Sequence, residues 1–318
     1  MPPPPPSLPC PPPSIVVCRK NFSFFGHLFF LVEMKTFRIG GVPEHYNAPF
    51  HTALSVFEDP EYEYEWVNYP SGTGALLESV LCGELDSAVV LAEGAVSRII
   101  NKGDVEIVGT FVSSPLVWGV HVSLNSHFTS VSDISKNDSP NPVRIGISRF
   151  GSGSHIMAEI MMEQHEKTYV VINTMSGAAE AMQAGLIDVF LWDIPTAACH
   201  SNVWKCVGTV CGEWPAFVFV QAKQATHSPD ILIRLMTQVR NHAILLKEEE
   251  EFAIQFLCDK FRITQNQSAQ FLKSVAWTSS PSVSRSALQR VMHALSQAKV
   301  IPAKVSAESL AVHCSFLS

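Results

Sequence analysis

Three short stretches combine small, hydroxylated and titratable residues at spacings that could hold a polar ligand. Pro70-Ser71-Gly72-Thr73-Gly74 and Gly151-Ser152-Gly153-Ser154-His155 each open a predicted helix. The first N–H groups of a helix have no partner inside it, so either loop can bind an anion through backbone N–H groups backed by hydroxyls: Ser71 and Thr73 beside Gly72, Ser152 and Ser154 beside Gly153. The simpler role for the same side chains is to cap their helices. Neither loop is a dinucleotide fingerprint or a phosphate loop, since Gly-x-Gly-x-x-Gly and a Gly-Lys-Ser/Thr ending are both absent. The third stretch, Pro43-Glu44-His45-Tyr46-Asn47, holds four hydrogen-bonding side chains where a β-to-α turn needs only Pro and Asn.

Further candidates follow predicted strands. Glu93 comes just after Leu91, and Trp192-Asp193 ends a second apolar run, offering carboxylates and an aromatic wall to one cleft, although a Trp at such a place serves equally as core. If the site does chemistry, His45 is the acid/base, with Glu44, Glu93 or Asp193 as its partner. Ready-made catalytic groupings are missing: there is no Gly-x-Ser-x-Gly elbow and no His-Glu-x-x-His helix. Cys199-His200 with Cys206 and Cys211 raises the possibility of zinc, but zinc ligands come in close pairs across a turn and Cys206 reads as part of a buried strand. No metal and no cofactor is expected.

The elements that must position these residues alternate. Phe37-Arg38-Ile39 reads as a strand, Ala48 to Phe57 as a helix, Tyr62 to Val67 as a strand and Gly74 to Leu81 as a helix. Apolar strands continue at 88–91, 105–112, 117–122, 143–147, 169–172, 189–192 and 217–220, the pattern of a parallel sheet covered by helices on both faces. After Gln221 the strands stop. Ser228-Pro229 starts a long helix, Thr264 with Gln267 forms a capping box, and Leu288, Val291, Met292 and Leu295 keep helical spacing. A weak repeat links the halves. Gly74-Ala75-Leu76-Leu77-Glu78 leads through Gly83 to Asp86 and a strand, and Gly177-Ala178-Ala179-Glu180-Ala181 leads through Gly185 to Asp188 and another. Two lobes of similar build follow, with the candidate loops at the carboxyl edges of their sheets, where open α/β sheets bind ligands.

Composition narrows the partners. Of 318 residues 47% are hydrophobic and 16% charged, enough apolar material for two ordinary cores. A net charge of −7 argues against a nucleic-acid face, and no apolar run is long enough for a transmembrane segment. The eight cysteines form no Cys-x-x-Cys pair and lie mostly in apolar stretches, Cys82 and Cys258 in helices. That predicts buried thiols in a reducing, cytoplasmic setting. Nine of the 21 prolines fall in the first 13 residues, so residues 1–33 are read as a disordered or mis-annotated extension, with a targeting segment as the alternative. A small-molecule ligand remains as the expected partner, and the sequence leaves the oligomeric state open.

Four segments together carry a family resemblance: Phe37 to Asn47 with its Val-Pro-Glu-His-Tyr-Asn loop, Gly-Glu-Leu-Asp-Ser-Ala from Gly83, Ile147-Ser148-Arg149-Phe150-Gly151-Ser152-Gly153-Ser154, and the Ile301-Pro302 ending. They resemble type II periplasmic-binding-protein-like proteins, above all an intracellular group known from fungi. More distant relatives are sulfonate and taurine receptors and thiamin pyrimidine synthases. The resemblance implies an α/β fold of two lobes, with the ligand in the cleft between them and the C-terminal helices packed on lobe 1. Lobe 1 would comprise 34–118 and 217–318, and lobe 2 would comprise 119–216. It also implies a binder that closes on a polar or anionic, sulfonate- or pyrimidine-related ligand, with an enzyme of thiamin-precursor metabolism as the alternative. The cysteine-rich iron-binding motif of the synthases is absent from this sequence.

Overall fold

The computed structural model describes residues 34–136, 141–163, 165–225, 229–278, 282–303 and 305; the extension at 1–33 and Ser228 of the predicted helix start lie outside them. The chain enters at β1 (Lys35–Gly41) and turns through His45–Asn47 into α1 (Ala48–Ala53). It continues through β2 (Tyr62–Asn68), α2 (Thr73–Leu81), β3 (Ser87–Leu91), α3 (Ala92–Lys102) and β4 (Val105–Val112). A second unit follows: β5 (Val117–Ser123), α4 (Val131–Ser135), β6 (Val143–Ile147), α5 (Gly153–Met161), β7 (Lys167–Val171), α6 (Met175–Gln183), β8 (Val189–Asp193), α7 (Ile194–Ala197) and β9 (Trp204–Cys211). The chain then returns with β10 (Phe217–Ala222) and ends in α8 (Pro229–Glu248), α9 (Glu250–Phe261), α10 (Gln265–Ser274) and α11 (Arg285–Gln297).

Two five-stranded sheets result, ordered β2-β1-β3-β10-β4 and β7-β6-β8-β5-β9. Each has a parallel core of three strands, and its fourth strand, β10 or β5, runs antiparallel to both neighbours. The sequence pattern suggested parallel sheets. The sheets are mixed because the antiparallel strand in each is the one that a crossing between the lobes leads into, β5 after 113–116 and β10 after 212–216.

The internal repeat has a physical counterpart in both sheets. Gly83 and Gly185 follow α2 and α6 at φ +73° and +66°, a left-handed conformation that glycine adopts without steric cost. Three residues on, Asp86 accepts from the Arg38 N–H at 2.6 Å while its own N–H donates to the Arg38 carbonyl. Asp188 makes the same reciprocal pair with Arg144, at 2.9 Å. Each carboxylate thus fixes the register of the third strand against the first.

One apolar cluster lies between the first sheet and α1 and α8–α10, around Phe37, Phe50, Phe219 and Phe271. A second runs continuously from α2 and α3 through α11 to α5 and the second sheet, taking in Leu76, Val96, Leu288, Val291, Ile156 and Met157. The last helix therefore packs on α3 and also reaches α5.

The expected burial of the cysteines fails. Among the described residues Cys82, Cys199, Cys206 and Cys211 are exposed and Cys258 is partly so. β9 is an edge strand, so alternate side chains along it face solvent, Cys206 among them; Cys82 sits at the end of α2.

Asp86→Ala leaves the part-buried Arg38 N–H without its acceptor. Urea unfolding is expected to show a loss of about 1–3 kcal/mol, with a smaller loss for Asp188→Ala, whose pair is exposed.

Candidate functional site

The candidate loops occupy the carboxyl edges of the two sheets, and those edges face each other. From the first sheet come the turn after β1, the loop before α2 and the start of α3; from the second come the loop before α5 and the end of β8. Contact across the gap is direct. A β-carbon on Gly153 would lie 2.6 Å from Trp118 Cζ2 and 3.1 Å from Glu93 Oε1, so only glycine lets the start of α5 approach that carboxyl group. A β-carbon on Gly74 would lie 3.2 Å from an Arg149 guanidinium nitrogen, which places the arginine of one lobe over the start of α2 in the other.

The turn after β1 is held from below. His45 and Tyr46 are buried, each with its ring edge-on to Phe271 of α10, at centroid distances of 4.3 and 5.0 Å. Trp277 Nε1 donates to the Tyr46 carbonyl at 2.8 Å. Asn47 Nδ2 donates to the Val42 carbonyl and closes the turn, while its buried Oδ1 has no partner among the described residues.

Asp193 of the opposite lobe dominates the charge here. Burial pushes the Glu44 carboxyl up to about 8, and the Asp193 charge adds to that rise. Burial pulls His45 below the usual imidazole range, with Asp193 opposing, and raises the Tyr46 phenol. At neutral pH the turn thus presents a neutral imidazole beside a protonated carboxyl.

Several predicted hydroxyls are already engaged. Thr73 Oγ1 accepts from the Leu91 N–H at 3.2 Å, and Ser152 Oγ caps α5 by accepting from the His155 N–H. Ser154 Oγ accepts from the Ser148 N–H at 3.0 Å and lies 3.0 Å from Ser152 Oγ. Gly72, at φ +78°, caps α2 without a side chain, and Ser71 is exposed. Trp192 leans on the outer cluster of the second lobe around Phe190 and Met182. Asp193 accepts from the Thr196 N–H and hydroxyl at the start of α7.

The structure therefore brings together Glu44, His45, Tyr46 and Asp193 in one group and Glu93 with Gly153 in another. Three participants carry no role in the sequence reading: Arg149, Trp118 and Trp214. Trp214 Nε1 donates to Glu93 Oε2 at 3.2 Å, and burial pushes that carboxyl up to about 7. The available signal was position, since each tryptophan lies within or beside a crossing and Arg149 is the lone basic residue in the loop 148–152. Among the described residues no group of three or more metal-ligating side chains lies together, and no helix is long and apolar enough to cross a membrane.

Comparison with known proteins agrees with this architecture. A family described as Ca3427-like PBP matches residues 118–203, the second unit from β5 almost to β9. Among solved structures, the Candida albicans CA3427 gene product, described as exhibiting the generic periplasmic binding protein structural fold, superposes with a TM-score of 0.76 at 19% identity. That match covers 89% of this chain and 96% of that one. The alkanesulfonate-binding protein SsuA from Xanthomonas axonopodis pv. citri, bound to MOPS, gives 0.68 at 18% identity over 89% and 98% of the two chains. The periplasmic aliphatic sulphonate binding protein SsuA from Escherichia coli gives 0.65 at 17% over 86% and 91%. No curated protein matches the chain. The chain has the two-lobed type II periplasmic-binding-protein-like fold.

The raised carboxyls make stability depend on pH. The folded state holds the Glu93 proton more tightly than the unfolded chain does, so this contribution is complete below about 4.5 and is lost as pH rises through about 7. Glu93→Gln should match the wild type near pH 4.5 and exceed its stability at pH 8 by roughly 3 kcal/mol, as read from paired denaturation curves.

Proposed function

We propose that the protein is a cytosolic small-molecule binder whose two lobes, residues 34–118 with 217–318 and residues 119–216, close over a polar ligand without chemical change. The observation that carries this reading is the meeting of titratable groups from both carboxyl edges, above all Asp193 of one lobe acting on Glu44, His45 and Tyr46 of the other. A ligand between them touches both edges only in the closed state and so favours it. The segments 113–116 and 212–216 serve as the hinge. His45, Tyr46, Asn47, Ser71, Gly72, Thr73 and Glu93 form one jaw, and Ser152, Gly153, Ser154, Trp192 and Asp193 form the other. Sulfonate-like and pyrimidine-related molecules are the first classes to try, since a sulfonate-binding neighbour shares the fold. Exposed cysteines such as Cys199, Cys206 and Cys211 fit a reducing compartment.

One observation favours a second reading. A lowered imidazole next to a raised carboxyl is the pairing that acid/base catalysis uses, so His45 with Glu44 would carry chemistry if the bound molecule is converted.

A panel of alkanesulfonates and aminopyrimidines, screened by thermal shift and then by small-angle scattering, tests closure. A true ligand compacts the protein and raises its melting temperature, by the equivalent of about 2.7 kcal/mol at a hundredfold excess over Kd. The double variant His45→Ala with Asp193→Ala loses both effects while remaining folded. Scattering that is identical with and without bound ligand refutes closure; turnover that vanishes in His45→Ala alone establishes the enzyme.

A further inference from the structure

The start of α5 lies against the protein's own carboxyl. Glu93, on the first turn of α3, is 3% exposed and sits with Oε1 against Gly153, beside the free N–H groups with which α5 can meet an anionic ligand. Trp214 Nε1 holds the other oxygen. A second indole points to a missing acceptor. Trp118 is 8% exposed, packs its Cζ2 edge on Gly153, and carries on that same edge an Nε1–H with no partner among the described residues. The place therefore supplies unmet donors, which call for a ligand oxygen or ring nitrogen, beside a carboxyl that repels such an atom if both are charged.

We propose that Glu93 sets the charge selectivity of the cleft: an ionised oxyanion docks on α5 and Trp118 only when the Glu93 carboxyl is neutral, whereas an uncharged acceptor docks in either state. The inference rests on the binder reading above and adds the charge of the group that α5 accepts. A neutral carboxyl also donates its own proton toward the oxyanion, so protonation replaces a repulsion with a hydrogen bond. Trp214 belongs to the crossing at 212–216, which keeps Glu93 in place instead of letting it swing into solvent.

The change of state falls near neutrality, because burial pushes the group up to about 7 while bonds from Trp214 and the backbone oppose the rise. The causes of that rise do not include the charged groups around α3: Arg98 and Lys102 of α3 itself, Glu78 of α2, Glu106 of β4, His155 and Glu159 of α5, Arg285, Arg290 and His293 of α11, Arg149 of the loop before α5, or Glu44, His45 and Asp193 of the cleft.

Methanesulfonate is the probe, since its charge does not change between pH 6 and 8. Calorimetric titration of the full chain is expected to give wild-type affinity that falls about tenfold from pH 6 to pH 8, following one proton. Glu93→Gln should bind about tenfold tighter than the wild type at pH 8 with a flat pH profile, and Trp118→Phe should weaken binding at every pH. Far-UV circular dichroism and a melting curve for each variant confirm folding. A Glu93→Gln protein that binds no tighter than the wild type at pH 8, including the case where neither binds, overturns the proposal, as does a pH profile left unchanged by the substitution. If ligand-driven compaction persists while these results fail, the binder reading stands and only the role of Glu93 falls. If Glu93→Gln gains affinity without compaction, closure falls and the charge selectivity stands.

Discussion

Everything at the cleft depends on the chain crossing between the sheets twice, side by side. The Ala216 N–H donates to the Ser114 carbonyl, so the crossings are bonded to each other, and each contains a proline that limits its backbone, Pro115 and Pro215. The first crossing is also pinned to the C-terminal region: the Ser113 N–H donates to the Ala276 carbonyl, and the Ala276 N–H to Ser114 Oγ. The second is tied to the start of α3, where the Ala92 N–H donates to the Ala216 carbonyl. With both connections held on one side, the two carboxyl edges face each other and the loops between strands and helices become the lining of a single gap.

That arrangement explains the mixed sheets and the electrostatics together. The antiparallel strands β10 and β5 are the ones the chain enters after a crossing, so each sheet gives up parallel order at the strand by which the chain arrives from the other lobe. Facing edges also bring carboxyls from different lobes into one poorly solvated space. Glu44 rises because it is buried and because Asp193 is opposite, while no positive charge contributes to either Glu44 or Glu93. Ionising such groups in the closed state is unfavourable without a proton, a cation or a donor-rich ligand to replace lost water.

Much of the fold was legible in the sequence, because it rests on local signals. The Gly…Asp spacing before β3 and β8 encodes the left-handed turn and the reciprocal pair with Arg38 or Arg144, and both halves repeat it. The capping box at Thr264 and Gln267 forms as read. The candidate site was less legible, for two reasons. A hydroxyl at a helix start looks the same whether it caps or binds, and Thr73, Ser152 and Ser154 turn out to hold backbone N–H groups of their own lobe. Arg149 and Trp118 gain their meaning from partners in the other lobe or at its edge, at sequence distances that no short motif spans. Cys206 and Cys211 misled because β9 is an edge strand, and apolar neighbours in sequence do not reveal which sheet position a strand will take.

The last helix adds a constraint on motion. α11 shares its apolar face between α3 and α5, Gln297 donates to Glu163 of the second lobe at 2.8 Å, and Asn101 of α3 donates to the Val300 carbonyl just beyond the helix. Opening the cleft must separate α5 from the start of α3, where Glu93 meets Gly153, and α11 bridges those same two helices. Part of the apolar surface under α11 is then exposed whenever the lobes part. Hydrophobic burial under that helix works with the protonated carboxyls of the cleft to favour the closed form, and ionisation of those carboxyls works against it. The balance between the lobes is therefore set jointly by a helix at the end of the chain and by two carboxyl groups that lie in its first third.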